Sequence, residues 1–327
     1  MEFQLSSSTV VRASYVRNDL VRAIEDMGTL VDGDDVYQYV NPGYGIAKTF
    51  ISSGATPTGF ATPKAQRTYN ALELSVTKRF SRGFSGGASY VRSRLYGNYA
   101  GIGSSDEITP PTSGSSGSTT SQQSGGSIAR PGSSATRSWD LDEVLFDSKG
   151  NFVTGNFATD RPNVFKLYGS YSKSWGRWGS TDIGGFFYGA SGTPVSTLAT
   201  TSNGIEVFVN GRGDLGRTPH LTETDLMVAH EFKLGETKRI RFEANATNVF
   251  NQKTPRHIFS WLNRGVGTTN APDFAINLSS VNLFNGYDYR ALINGTSAGS
   301  NAYDPRFSRA DLWNPGFQGR LRVKFIF

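Results

Sequence analysis

Several short segments have residue types and spacings that occur in functional sites. Residues 211–216 read GRGDLG and match the G-x-G-x-x-G pattern of dinucleotide-binding loops. Residues 83–87 read GFSGG and match the G-x-S-x-G pattern of serine hydrolases, with Ser85 in the position of the nucleophile. Two acidic clusters, at residues 32–35 and 140–143, carry carboxylates whose oxygens suit calcium. The chemistries to test are therefore nucleotide binding, ester hydrolysis and metal binding.

The surrounding sequence argues against each of these chemistries. A dinucleotide-binding loop opens a helix, whereas Pro219 and a strand-like pattern follow residue 216. A nucleophile elbow joins a strand to a helix, whereas Ser85 begins a strand after a tight turn. Both acidic clusters fall in long connections, where carboxylates are far more often solvated than bound to calcium. With no Cys and three His residues, the sequence holds no zinc ligand set. We expect a protein that is not an enzyme, with no catalytic residue, no cofactor and no metal.

The composition favours β-sheet and excludes a helical membrane protein. The chain has 327 residues with 38 Gly, 22 Phe, 14 Tyr and 5 Trp, and Gly is well above the roughly 7% of average proteins. No segment approaches the about 20 consecutive apolar residues of a transmembrane helix. The net charge is +6, but basic residues alternate with acidic ones, so we expect no nucleic-acid partner. The opening residues do not read as a signal peptide.

Alternating apolar and polar residues predict β-strands. The clearest stretch is the last, where Leu321, Val323 and Phe325 alternate with Arg320 and Arg322. These stretches are longer than the usual strand of about 5 or 6 residues and long enough to cross a membrane when tilted. Alternation alone fits either a soluble sandwich or a membrane barrel. Eight stretches show the pattern: 3–15, 70–80, 84–95, 164–173, 180–190, 222–234, 239–247 and 317–327.

The connections favour the barrel. Those at residues 81–83, 175–179 and 235–238 are short, and they alternate with four long ones. Outer-membrane barrels have short periplasmic turns and long extracellular loops. We therefore predict an all-β, antiparallel transmembrane β-barrel domain over residues 1–327, with an even strand count and a first strand that enters from the periplasm. Within its second long loop, residues 104–136 are rich in Ser, Gly and Thr and are expected to be flexible.

Aromatic residues near the predicted strand ends fit the girdles that such barrels carry at the membrane interfaces. Trp175 and Trp178 flank a short turn. Tyr168 and the run Phe186, Phe187 and Tyr188 also fall near predicted ends. The alternative is that these rings pack against each other in turns.

A series of short motifs occurs in a fixed order along the chain. They are YNALELSVTKRFS at 69–81, ASY at 88–90, DRP at 160–162, SGTP at 191–194, FEANATNVFN at 242–251, YDPRF at 303–307 and the terminal Phe327. In this order they resemble the C-terminal part of a TonB-dependent receptor barrel, especially the Oar-like group. The resemblance implies about eight C-terminal strands of a barrel of about 22 strands.

The resemblance also implies the location and the partners. These would be the outer membrane of a Gram-negative-type bacterium and its lipid, the barrel-assembly machinery, a plug domain and the remaining barrel strands. TonB would be reached only through an N-terminal part that this chain does not match. The assembly signal would be Leu321, Val323, Phe325 and Phe327. The polar residues facing the lumen and plug would be Glu73, Arg79, Asp225, Glu231, Arg241, Glu243, Arg320 and Arg322.

The functional hypothesis is a transport protein. The chain would be a C-terminal barrel fragment of a TonB-dependent receptor, supplying barrel wall and extracellular loops that capture ligand. The alternative is a free-standing small outer-membrane barrel with a structural or adhesive role. A third hypothesis is an outer-membrane hydrolase that uses Ser85.

Overall fold

The computed structural model describes residues 1–31, 34–44, 47–48, 60–100, 142–202, 206–264 and 274–327. Long strands dominate it, with short strands and single helical turns between them. In chain order the strands are β1 (Glu2–Ser6), β2 (Thr9–Asp19), β3 (Glu25–Val31), β4 (Asp34–Val40), β5 (Ala47–Lys48), β6 (Phe60–Ala61), β7 (Arg67–Ser81), β8 (Phe84–Gly97), β9 (Gly155–Asn156), β10 (Asn163–Ser174), β11 (Ser180–Ala190), β12 (Leu198–Thr200), β13 (Glu206–Phe208), β14 (Leu221–Lys233), β15 (Arg239–Thr247), β16 (Pro255–Ile258), β17 (Ala310–Trp313) and β18 (Gln318–Ile326). The helices are α1 (Asp142–Leu145) and α2 (Tyr289–Asn294), with 3-10 turns at Gly176–Trp178, Leu283–Asn285 and Gly299–Ala302.

One antiparallel sheet organises the chain. Its strands lie in the order β1-β2-β7-β8-β10-β11-β14-β15-β18, and β9 pairs with the end of β8. Every neighbouring pair is antiparallel. Among the described residues, no helix is long and apolar enough to cross a membrane. The prediction of an antiparallel all-β fold is confirmed.

The opening stretch differs from the prediction, because residues 3–15 form a hairpin of two strands. Its turn lies at residues 7–8, where the Ser8 N–H donates to Ser6 Oγ at 3.3 Å. Phe3 pairs with Val11 and so lies on the same face, and the alternation therefore continues through the turn without a break. In the described part of the chain, the sheet path therefore has nine strands where the sequence predicts eight, and the two-residue strand β9 beside it brings the sheet to ten.

The order of connections gives the sheet two distinct ends. Turns of a few residues join β1 to β2, β7 to β8, β10 to β11 and β14 to β15, all at what we call the short-turn end. The four long connections lie at the opposite, long-loop end, as the sequence predicts. β1 runs from the long-loop end towards the short-turn end, whereas the sequence predicted a first strand that starts at the short-turn end; this prediction was wrong because the opening stretch is a hairpin. β18 runs in the same direction as β1.

The strand register separates the side chains into an apolar face and a polar face. Directly opposed residues share a face, and successive residues alternate between faces. The register also settles β8 and β11, whose Gly-rich pattern is ambiguous in the sequence. The apolar face carries Val11, Ala13, Tyr15, Leu72, Leu74, Val76, Phe84, Ala88, Tyr90, Phe165, Leu167, Tyr171, Ile183, Phe187, Leu226, Val228, Phe232, Ile240, Phe242, Leu321, Val323 and Phe325.

The buried core lies in the long connections rather than against the sheet. Its fully buried side chains include Phe146, Val207, Ile276, Leu283 and Ile293, which come from three different connections. Backbone hydrogen bonds join these segments; for example, the Ser148 N–H donates to the Val209 oxygen at 2.9 Å. We call this folded assembly of connections the loop layer. The expected flexible segment at 104–136 lies outside the described residues.

A glycine allows close packing between β8 and β10 on the polar face. Tyr168 is opposite Gly87, and a Cβ atom at Gly87 would lie 2.7 Å from the Tyr168 hydroxyl and 2.8 Å from the Val76 oxygen. An aromatic ring that covers a strand glycine in this way helps to fix strand register. Gly87 therefore leaves space for the Tyr168 ring between neighbouring strands.

We predict that Gly87→Ala destabilises the sheet by about 1–3 kcal/mol, because the added methyl group overpacks this site. The free energy of unfolding in urea, measured in a neutral detergent by tryptophan fluorescence, tests this. Gly235→Ala is the matched control, since a Cβ at Gly235 meets no atom within 4 Å. Equal stability of the two variants would contradict the packing role of Gly87.

Candidate functional site

The polar face gathers the acidic and basic residues that the sequence singles out. The ladders place Glu73, Asp225, Glu231, Arg241, Glu243, Arg320 and Arg322 on this one face. Arg79 lies near the short-turn end, where the register of β7 with β8 shifts between Lys78 and Ser81, so its face is not given by the ladder. The strand register therefore places the residues with ladder partners on one face of the sheet, whereas their lumen-facing role remains a prediction.

Ion pairs cross the polar face between β11, β14, β15 and β18. The guanidinium of Arg241 lies 2.6 Å from Asp182 and 3.7 Å from Glu243. Glu243 also lies 3.8 Å from Arg322, and Arg239 donates to Glu231 at 2.9 Å. Opposite charges thus compensate one another across four strands.

A shallow depression of about 390 Å³ occupies the middle of the polar face. Its lining includes Ser85, Tyr168, Phe186, Asp225 and Met227. Tyr168 and Phe186 were expected near strand ends in an aromatic girdle, but they oppose each other in mid-strand on the polar face. The girdle prediction was wrong for these two residues. Both lie next to glycines, and in such a segment the sequence does not show where the strand ends.

The serine and histidine residues do not come together as a hydrolase site would require. Ser85 Oγ lies 2.8 Å from Ser170 Oγ. His230 Nδ1 lies 2.8 Å from Thr181 Oγ1, and His257 pairs with Asp311. Within the described parts of the chain, no hydrogen bond joins Ser85 to a histidine.

The G-x-G-x-x-G segment is a series of turns in the loop layer. Gly211, Gly213 and Gly216 all have a positive φ, between 77° and 83°. Asp214 accepts hydrogen bonds from the Thr197 N–H and hydroxyl, each at 2.6 Å. No helix follows, because β14 is the next element, so the phosphate-binding arrangement of a dinucleotide fold is absent from this described segment.

The acidic clusters remain largely outside the described side chains. Asp32 and Asp140 are not described, nor are the side chains of Asp34, Asp35 and Asp142. Glu143 is buried at the start of the loop layer. Elsewhere in the described chain, no group of three His, Asp or Glu side chains could hold a metal ion.

The DRP and SGTP motifs meet at the long-loop end of the sheet. Asp160 is buried and forms an ion pair with Arg217, whose guanidinium also donates to the Gly192 oxygen at 3.0 Å. Arg161 donates to the Ser191 oxygen at 2.7 Å, and its burial, together with the nearby positive charge of Arg256, lowers its pKa. We call this group the rim clasp, because it fastens the connections on either side of β10 and β11 to each other.

The rim clasp requires a residue without a side chain at Gly192. A Cβ there would lie 1.6 Å from the Thr218 oxygen. Thr193 and Thr218 exchange hydrogen bonds, from the Thr193 N–H to Thr218 Oγ1 and from the Thr218 N–H to the Thr193 oxygen, each at 2.9 Å. The sequence analysis did not predict a role for Arg217 and Thr218. The sequence feature that could have indicated one is the RTP segment at 217–219, which lies C-terminal to SGTP.

The FEANATNVFN motif closes the end of β15. Asn248 has a φ of 49° and is buried, and its amide donates to the Gln252 oxygen at 2.9 Å and to the Pro315 oxygen at 2.7 Å. The Asn248 N–H donates to Asp225 Oδ1 at 2.9 Å. Asn248 therefore joins the beginning and the end of the last long connection. Asn suits this turn because it tolerates a positive φ and because its side-chain amide supplies these hydrogen bonds.

The YDPRF motif forms a bidentate ion pair in the loop layer. Arg306 donates to Asp304 through Nε at 3.0 Å and through Nη2 at 2.7 Å, and the Arg306 N–H adds a bond of 2.9 Å. Burial of Asp304 acts to raise its pKa, but the bonds from Arg306 outweigh burial and hold the pKa below the usual range. The motif residues thus fix backbone geometry rather than present reactive groups.

We predict that Arg217→Met destabilises the protein by about 3–5 kcal/mol, because it leaves the buried Asp160 carboxylate without its counter-ion. The free energy of unfolding in urea measures this loss. Arg320→Met removes an exposed arginine of the same size and should change stability by no more than about 0.5 kcal/mol. A similar small effect for both variants would show that the Asp160 pair does not hold the rim together.

We also predict an acid-dependent loss of stability from Asp304. Since its folded pKa lies below its unfolded value, its contribution is present above about pH 4 and is lost as the pH falls through the folded pKa. Asp304→Asn should cost about 1–3 kcal/mol at pH 7 and much less below pH 3. Urea unfolding at a series of pH values tests this, and an effect of Asp304→Asn that does not depend on pH would contradict it.

Comparison with known proteins agrees with the sequence resemblance. Over 252 residues, which are 76% of this chain, the sequence is 27% identical to the TonB-dependent transporter Oar of Myxococcus xanthus. The match covers 20% of that relative, so the chain spans a fifth of its length. No family model matches the chain, and no solved structure matches it. With its antiparallel sheet and its ordered motifs, the chain is therefore related to the Oar-like TonB-dependent receptors, as a fragment of their length.

Proposed function

We propose that this chain forms part of the wall and the outer loops of a TonB-dependent transporter of the outer membrane. In this proposal the apolar face contacts lipid, the polar face lines the barrel lumen, and the loop layer lies outside the cell. The observation that carries it is the apolar face itself, which spans nine strands and has no covering element in the described chain.

The exposure of the apolar face is difficult to explain in water. Leu226, Val228 and Phe242 lie in the middle of the sheet, and each is 44–48% exposed. A contiguous apolar patch larger than a few hundred Å² is rare on a soluble monomer. The core of the protein is located in the loop layer, so it does not cover these side chains. Lipid tails would remove the cost of exposing them.

The apolar face also has the expected height. Aromatic and large apolar residues occur at both of its ends, and on β18 they begin at Phe317 and finish at Phe327. Ten residue steps at about 3.3 Å, tilted by about 40°, span about 25 Å, the height of the apolar band in outer-membrane barrels. The short-turn end carries Phe80, Trp175, Trp178, Leu234 and Phe327, and the long-loop end carries Tyr15, Tyr96, Phe250, Trp313 and Phe317.

The polar face fits a water-filled or plugged lumen. Its ion pairs between Arg241, Asp182 and Glu243 would be costly against lipid and are favourable against water or a polar plug. Arg320 and Lys324 add positive charge at the β18 edge of this face. A plug domain, and TonB acting through it, are partners that we propose from the relationship to Oar.

The directions of the edge strands favour a larger barrel over the free-standing alternative. β1 and β18 run the same way, so they cannot pair with each other in an antiparallel barrel. Antiparallel closure needs an odd number of further strands between them. Bacterial single-chain barrels have even strand counts. Nine strands from this chain and an odd number of further strands add up to such an even count.

The last strand also has the form of the proposed assembly signal. Leu321, Val323, Phe325 and Phe327 are all more than half exposed along the free edge of β18. A partner that pairs with this edge would meet both unpaired backbone groups and a row of apolar side chains. We propose that the barrel-assembly machinery recognises this strand.

The loop layer suits the capture of a ligand. Buried residues from the long connections give it a core of its own, and Asn248 and the rim clasp attach it to the strands. A loop surface held in this way loses less conformational entropy when it binds a ligand. We propose that ligand recognition takes place on this layer, above the polar face.

Neighbouring residues on one strand provide the test of membrane orientation. The chain has no Cys, so Val228→Cys and Met227→Cys each introduce a unique labelling site, on the apolar and the polar face respectively. We predict that brominated lipid tails quench a fluorophore at 228 strongly and one at 227 weakly, while a water-soluble quencher gives the opposite order. Equal quenching at the two sites would overturn the proposed orientation.

A further inference from the structure

The apolar face carries a group of arginines at its long-loop end. The register places Arg17, Asn70 and Arg94 in one row across β2, β7 and β8. The adjacent row contains Arg92. The next row towards the middle of the sheet is apolar and contains Leu74, Tyr90 and Phe165. The arginines therefore mark the boundary of the apolar band.

This position carries only a small energetic penalty if the apolar face contacts lipid. An arginine on the lipid-facing side of a barrel costs about 2–4 kcal/mol at the membrane midplane and about 0–1 kcal/mol near the interface. Arg92 and Arg94 are exposed, and they are two residues apart on the same face of β8. Their Cα atoms are therefore about 7 Å apart, which allows two guanidinium groups to reach one anion.

Among the described residues, neither Arg92 nor Arg94 has an acidic partner. Arg92 donates to the Asn163 amide oxygen at 2.9 Å, and Arg94 donates to the Asn156 amide oxygen at 3.3 Å. The guanidinium of Arg94 also lies 4.3 Å from the centroid of the Tyr96 ring. Both acceptors are neutral. The nearby acids have basic partners of their own, since Asp19 pairs with Arg17 and Asp160 pairs with Arg217.

A depression of about 370 Å³ lies beside these two side chains. Besides Arg92 and Arg94, its polar lining includes Tyr15, Asn70 and Asn156, together with the ion pair of Asp160 and Arg217. The Tyr15 hydroxyl donates to Asn70 at 2.9 Å, which holds the Asn70 side chain in the depression. The site thus combines two arginines that have no acidic partner, neutral hydrogen-bonding groups, one internally paired acid and an apolar surface directly below them.

We propose that this site binds the phosphate group of a lipid in the membrane leaflet on the long-loop side. The guanidinium groups of Arg92 and Arg94 donate to the phosphate oxygens, and the acyl chains lie along Leu72, Leu74 and Phe165. A lipid fits better than a free anion because the charged and apolar parts of the site are contiguous. This inference rests on the proposed function, which places the apolar face against lipid.

The test compares three probes on the full chain purified in a neutral detergent. Phosphatidic acid has both a phosphate and acyl chains, diacylglycerol lacks the phosphate, and inorganic phosphate lacks the acyl chains. Native mass spectrometry measures the dissociation constant of each. We expect phosphatidic acid to bind at least about tenfold more tightly than the other two, since each charge-assisted hydrogen bond contributes about 1.5–3 kcal/mol.

Paired variants locate the binding site. R92Q/R94Q should weaken binding of phosphatidic acid at least about tenfold, whereas R92K/R94K should retain most of it. The matched control is R320Q/R322Q, which removes the same charge from the polar face and should leave binding within about twofold. Unfolding in urea establishes that each variant is folded. If the double glutamine variant does not fold, R92Q and R94Q are measured singly, and each should weaken the binding of phosphatidic acid.

Several results would overturn the lipid site. They are unchanged binding in R92Q/R94Q, an equal loss in the control pair, or inorganic phosphate that binds as tightly as phosphatidic acid. The quenching at position 228 separates this failure from failure of the proposed function. Strong lipid quenching at 228 with unchanged binding in R92Q/R94Q rejects the lipid site alone. Weak lipid quenching at 228 rejects the membrane orientation itself.

Discussion

Alternation along strands, held in register across nine of them, is the constraint from which the other properties of this protein follow. Because directly opposed residues share a face, Leu74, Tyr90 and Phe165 form one continuous apolar row although they come from three strands. The same register brings Asp182, Arg241 and Glu243 within ion-pairing reach on the opposite face. A shift of one residue in any ladder would interchange the two faces of that strand, placing charge among apolar side chains. The register therefore determines which environment each face can occupy.

A sheet with two uncovered faces cannot obtain its stability from a core between layers. Here the buried apolar side chains are in the loop layer, where Phe146, Val207 and Ile276 come from different connections. The ladders supply the rest, since the backbone groups of the strands between β1 and β18 pair with neighbours on both sides. This division explains why Gly-rich strands are tolerated. The glycines allow neighbouring strands to pack closely, as Gly87 does beneath Tyr168, and they are not needed to fill a core.

The sequence predicted the sheet well because alternation is a local signal. Seven of the eight predicted stretches correspond to single strands, and the eighth is the hairpin of β1 and β2. That hairpin was missed because Phe3 and Val11 keep the same facing across the turn. The loop layer was missed for a different reason. Its core joins residues such as Phe146 and Ile293, which are far apart in the chain and have no period. For the polar residues, alternation predicted correctly that they share a face. Their ion pairs could not be predicted, because these depend on the register between neighbouring strands, which the sequence of one strand does not contain.

The motifs that carry the relationship to Oar lie mostly where the strands meet the loop layer, and their contacts explain how the two parts are kept distinct. Arg161 and Arg217 donate to the backbone oxygens of Ser191 and Gly192, and Asn248 donates to that of Pro315. A bond to a carbonyl oxygen requires a chain path but no hydrogen-bonding side chain at the acceptor, and of these three acceptors Gly192 is constrained by the close approach of Thr218. The side chains on the outer surface of the loops are thereby left free to differ while the wall and its attachments stay the same. In the receptor that we propose, this arrangement would confine ligand specificity to the loop layer and would leave contact with lipid and with the lumen to the two faces of the strands.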